Sequence, residues 1–234
     1  MYDNDIDNDG LANDAVGETD IDGDGLADDS PLETDIDGDG RADNGIGVSY
    51  ILALIASTDI PHPPLEAVLT AAVERGIGAA ALVGDCATDN DAVRLSRSGA
   101  LVRQIVTESM CHLEADMIST HLADWDLAAI DLLVIENVGN LVCPTAYDLG
   151  EATRVALLSV TEGEDKPAKY PQLFHSADLV VVTKTDIADA VEWDRDAAVA
   201  AIRSVNPEAP IIETSARSGR GVNELLNLLL TPAH

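Results

Sequence analysis

Six short apolar runs, each of strand length, constrain the fold of this chain more than any other feature. They are VSYILALIA (48–56), GAAALVG (78–84), LLVIE (132–136), VALLSV (155–160), DLVVVTK (178–184) and PIIET (210–214). None alternates apolar with polar residues, so each expects burial on both faces. Between them lie segments of helical spacing: LEAVLTAAVERG (65–76), WDRDAAVAAIRSV (193–205) and GVNELLNLLL (221–230). Continuous apolar strands alternating with helices predict an α/β fold, a parallel sheet with helices on both faces. In such sheets ligands bind beyond the carboxyl ends of the strands. The chemistry-bearing residues fall there: Asp85, Glu136, Lys184 with Asp186, and Ser215.

Charge divides the chain. Residues 1–47 hold 16 acids and one base, a net −15; the remaining 187 residues hold 27 acids and 12 bases, also −15. The expected division is therefore an acidic segment, 1–47, and a globular domain, 48–234. The total of −30 argues against nucleic acid or an anionic membrane as partner, because both repel it. No apolar run is long enough to span a bilayer, and the start MYDNDIDND has no basic or apolar leader region, so a cytoplasmic location is expected. Three Cys are too few for a disulfide framework. Three Lys against ten Arg, with abundant Asp, is a composition suited to high salt; a need for molar salt on refolding is the matching expectation.

The acidic segment repeats every 15 residues. Asp5, Asp20 and Asp35 open the units; Asp7, Asp22 and Asp37, then Asp9, Asp24 and Asp39, follow, each unit turning at Gly10, Gly25 or Gly40. Alternate carboxylates before a Gly supply convergent oxygens for a hard cation, so Ca²⁺ is the expected ligand. The twelfth-position Glu of an EF-hand is absent, with Val16, Pro31 and Ile46 in its place. The units resemble the D-x-D-x-D-G repeats of thrombospondin type-3 modules. An acidic tail without bound metal is the plainer alternative.

Three motifs lie in order at strand ends. ENVGNLVCP (136–144) places Gly139 three residues after the strand-terminal Glu136, the layout that senses a γ-phosphate and its Mg²⁺. TKTD (183–186) resembles the N-K-x-D guanine motif, with Lys184 stacking on the base and Asp186 accepting from it. ETSA (213–216) resembles the loop that meets guanine O6, through Ser215 and Ala216.

Longer stretches, GDCATDNDAVRL (84–95), CHLEADM (111–117), ENVGNLVCPTAYDLGE (136–151) and SVTEGEDKPAKYPQLF (159–174), resemble the hydrogenase nickel-incorporation GTPases, the HypB family, over residues 48–231. The resemblance implies a P-loop GTPase-like domain, a homodimer, and GTP hydrolysis coupled to nickel delivery into the large subunit of [NiFe] hydrogenase alongside other nickel-maturation proteins. It implies Asp85 and Glu136 as the Mg²⁺ and water-positioning acids, and Cys111, His112 and Cys143 as ligands to Ni²⁺ or Zn²⁺, a donor set that suits either ion. Cys86 is read as incidental, and His62, His121, His175 and His234 as surface residues.

One segment departs from the family. Where the family carries G-x-x-x-x-G-K-[ST], this chain has STDIPHPP (57–64), with no Gly, no Lys and three Pro. The family's loop cradles phosphates with backbone N–H groups, and Pro has none. Thr183 also replaces the motif's Asn. Weakened GTP binding and slow or absent hydrolysis are expected. Two other functions stay open: a non-catalytic nickel- or zinc-binding scaffold of the same fold, and a calcium-dependent interaction protein.

Overall fold

The computed structural model describes residues 51–55, 63–85, 90–107, 110–139 and 141–231. The acidic repeats Asp5 to Asp39, Cys86, His62, His234 and residues 57–62 lie outside the described residues.

Among the described residues, seven parallel strands form one sheet: β1 (Ile51–Ile55), β2 (Ala79–Asp85), β3 (Leu101–Val106), β4 (Leu132–Glu136), β5 (Thr153–Ser159), β6 (Leu179–Thr183) and β7 (Ile211–Glu213). Their order is β3-β2-β4-β1-β5-β6-β7. Six of the strands fall inside the apolar runs or within two residues of them. The seventh, β3, is an addition: Arg103 and Gln104 interrupt its apolar pattern.

The helices are α1 (Pro63–Glu74), α2 (Asn90–Leu95), α3 (Ala115–Leu122), α4 (Lys166–Lys169), α5 (Pro171–His175), α6 (Arg195–Val205) and α7 (Val222–Leu229). On one face of the sheet, Leu65, Leu69 and Ala72 of α1 and Leu225, Leu226 and Leu229 of α7 pack on Ala81, Val134, Val155 and Val181. On the other, Ile118 and Leu122 of α3 cover Leu82, Leu133 and Ile135. Phe174 of α5 and Ile202 of α6 cover Leu158, Val180 and Val182 beside them. Successive residues of one strand thus feed opposite cores, which is why the runs are apolar throughout.

One local reading changes. Pro63 and Pro64 belong to the first turn of α1, where the fixed φ of proline suits a helix start, and not to a connecting loop. The segment 160–171, polar by composition, contains α4 and leads into α5. Lys169 pairs there with Asp165 at 2.7 Å, and Lys166 lies over the Tyr170 ring.

Candidate functional site

The strand ends carry the site. Glu136 closes β4 and is 4% exposed. Burial pushes its carboxyl up to about 8, the carboxylates of Asp91 and Asp85 push in the same direction, and Arg94 opposes them. Asp85 closes β2, half-buried, and its carbonyl accepts from Thr107 N–H at 3.0 Å. Asp91 and Arg94 face this cluster from α2, paired at 2.5 Å. A protonatable acid thus sits among two further acids and one cation, an arrangement a divalent cation would reorganise by favouring the ionised forms. Gly139 is exposed three residues beyond Glu136.

A second cluster forms at β6 and β7. Lys184 leaves β6 in the left-handed region, φ 59°, which turns the chain sharply before Asp186. Ser215, fully buried, donates its hydroxyl to Asp186 Oδ1 at 2.7 Å. Thr185 N–H and its hydroxyl both donate to the Thr214 carbonyl at 3.1 Å. The TKTD and ETSA loops are therefore laced together, and Asp186 is held by a hydroxyl whose other role is to accept from Ser218 N–H at 3.2 Å. Ala216 lines an open groove of about 520 Å³ between α1 and α7. Partial burial lowers the Lys184 ammonium from its ordinary value, with Glu162 opposing. Burial raises Glu162 in turn.

Cys111 and His112 lie between β3 and α3. Cys111 Sγ is 3.9 Å from His112 Nδ1, while His112 Nε2 meets Glu114 Oε1 at 3.2 Å. Glu114 holds the far nitrogen, so Nδ1 is the one turned to the sulfur; carboxylates orient ligating imidazoles in this way. The imidazole stacks on Tyr147, centroids 3.7 Å apart and 15° from parallel. Tyr147 directly follows the 3-10 turn Cys143–Ala146, so the stack joins the Cys111–His112 loop to the Cys143 loop. Cys111, His112 and Cys143 are all half-buried. Among the described residues, no group of three or more His, Cys, Asp or Glu side chains that could hold a metal ion is found.

Comparisons with known proteins bear on the family and the fold. Residues 65–213 match the family model for the CobW/HypB/UreG nucleotide-binding domain. The hydrogenase maturation factor HypB of Azotobacter vinelandii is 47% identical over 180 residues, 76% of this chain and 58% of that protein. The HypB of Escherichia coli K12 is 41% identical over 181 residues, 77% of this chain and 62% of that protein. The crystal structure of Helicobacter pylori HypB in complex with nickel superposes with a TM-score of 0.72 at 36% identity, covering 79% of this chain and 86% of that one. This chain belongs to the HypB family. Archaeoglobus fulgidus HypB gives a TM-score of 0.68 at 35% identity, over 78% of this chain and 91% of that one. The fold is accordingly the P-loop GTPase-like α/β fold. The chain spans about three-fifths of the length of the curated HypB relatives.

Within this HypB domain the structure unites Asp85 with Glu136, and Lys184 and Asp186 with Ser215 and Ala216. It places Cys111 beside His112 and links them to the Cys143 loop through Tyr147. His175 is exposed, and His121 is half-buried, meeting the Met117 carbonyl on its own helix. Four contributors escaped the sequence: Asp91, Arg94, Glu114 and Tyr147. The spacing of acid and base in DNDAVRL and of H-x-E in CHLEADM are the signals that point to the first three. The Tyr147 stack depends on tertiary packing and leaves no local signal.

Proposed function

We propose that this chain is a nickel-delivery accessory protein for [NiFe] hydrogenase maturation, working as a homodimer with the hydrogenase large subunit and other nickel-maturation proteins. The observation that carries the reading is the joined pair of loops bearing Cys111, His112 and Cys143 in a HypB-family domain. Two thiolates and an imidazole per subunit suit Ni²⁺ as cargo, and Zn²⁺ equally by donor type. The remaining coordination position falls to a partner subunit, a water or the acceptor.

The nucleotide site is GTP-like at its base end and weakened at its phosphate end. Asp186, oriented by Ser215, and Lys184 serve the guanine; Asp85, Glu136 and Gly139 serve Mg²⁺ and the γ-phosphate. Pro63 and Pro64 remove two N–H groups from the first turn of α1, and helix N-terminal amides are what grip phosphate. Loss of those donors, with no Lys in 57–64, supports GTP binding weaker than the family's and slow hydrolysis. Isothermal titration with GTPγS and Mg²⁺, beside a variant carrying a Gly-rich P-loop with Lys at 57–64, tests this. Binding weaker than micromolar by the natural chain and tight binding by the variant are expected. Micromolar binding by the natural chain would overturn the weakened-grip reading.

The acidic head supports a second binding role. Three in-register D-x-D-x-D-G units give hard oxygen donors, so residues 1–47 bind Ca²⁺ in preference to Ni²⁺. Calcium titration of the full chain against one lacking residues 1–47 should show uptake in the full chain alone; equal uptake by both would remove this role.

A further inference from the structure

Asn137, 2% exposed, follows Glu136 directly at the end of β4. Its Oδ1 accepts from two backbone amides: Leu113 N–H at 2.9 Å and Val138 N–H at 2.8 Å. One amide belongs to its own loop. The other lies 24 residues away and immediately follows His112. A carbonyl oxygen has two lone pairs, so this one is fully used.

Leu113 is fastened a second time. Its side chain is fully buried and lies over Gly84, where an added Cβ would stand 2.8 Å from Leu113 Cγ. Gly84 precedes Asp85. Leu113 is therefore held by its amide to the strand end that carries Glu136 and by its side chain to the strand end that carries Asp85. On its other side His112 stacks on Tyr147, beyond the turn that starts at Cys143. A shift of the 136–139 backbone must either carry Leu113 with it or leave a buried amide without its acceptor, which is costly. The Cys111–His112 loop stays still under such a shift only at the cost of that hydrogen bond.

We propose that Asn137 is the positioning residue through which nucleotide at Glu136 and Gly139 sets nickel affinity at Cys111, His112 and Cys143. The inference rests on the function proposed above and supplies the atom that connects its two sites. Coupling of this kind is reciprocal, so metal changes nucleotide affinity by the same factor.

The test measures nickel affinity of the full chain with and without millimolar GTPγS in excess Mg²⁺. The readout is the thiolate-to-nickel charge-transfer band, which nucleotide-bound nickel does not give. The expected ratio of the two dissociation constants is at least about fivefold for the natural chain, in the range of ordinary couplings. Asn137→Asp, which keeps both acceptor bonds, should retain the ratio. Asn137→Ala should bring it within about twofold of one while still binding nickel and GTPγS separately. Asn137→Ser, too short to reach both amides, replaces it if the alanine variant does not fold. An unchanged ratio in the alanine or serine variant, or no ratio in the natural chain, overturns the inference. Failure of the underlying function shows differently: nickel binding would survive Cys111→Ala, or GTPγS binding would survive Asp186→Ala.

Discussion

Glu136 is the residue whose physics is most exposed to measurement. Its folded-state carboxyl titrates near 8 against 4.5 for an unburied glutamate, chiefly through burial. Below about pH 4.5 both states are protonated and the folded protein carries no penalty. As pH rises toward 8, the unfolded chain ionises while the folded one stays protonated, so stability falls by up to about 1.4 kcal/mol per pH unit. Glu136→Gln should flatten that part of the profile and exceed the natural chain in stability at pH 8. Urea unfolding across pH 5 to 8 checks this, and parallel slopes for the two proteins would refute it. Glu136 was legible from its place after an apolar run. Its partners were not, because Asp91 and Arg94 reach it only once α2 folds back over the end of β2. Asn137 likewise reads as an ordinary polar neighbour until Leu113 is seen against it.

Elements were legible where burial on both faces enforces a continuous apolar run. The run LVRQIV was not, because β3 is an edge strand with Leu101 and Val106 half exposed. Arg103 leaves this strand to pair with Asp124 and to lie over Trp125, 5.1 Å from its ring centroid. An edge strand packs less, so its pattern is less constrained. The short helices α2, α4 and α5 hold too few turns to show a period. The element contact most sensitive to side-chain size is β2 against the segment that follows His112. Gly84→Val forces Leu113 outward, at a cost of about 1–3 kcal/mol for overpacking. It should also weaken nickel binding, since Leu113 adjoins His112. Unfolding and nickel titrations of that variant would refute the packing argument if neither changed.

At the scale of the whole molecule, a HypB-family sheet brings the strand ends bearing Asp85 and Glu136 close to the loop bearing Cys111 and His112, with Leu113 fastened between them. The sheet order places β1 centrally, between β4 and β5, so the acids of β2 and β4 lie to one side of it and the TKTD and ETSA loops after β6 and β7 to the other. The sequence showed which residues stand at the strand ends; the strand order that assembles them emerged only from the fold. The central claim is that Cys111, His112 and Cys143 form one nickel site. Its most direct measurement is nickel titration of the full chain, followed by the thiolate charge-transfer band, beside Cys111→Ala, His112→Ala and Cys143→Ala. A single site predicts that each substitution weakens nickel binding by at least tenfold, about 1.4 kcal/mol, and that each cysteine variant loses much of the band. Unchanged affinity in Cys111→Ala or Cys143→Ala would show that the two loops do not share a metal.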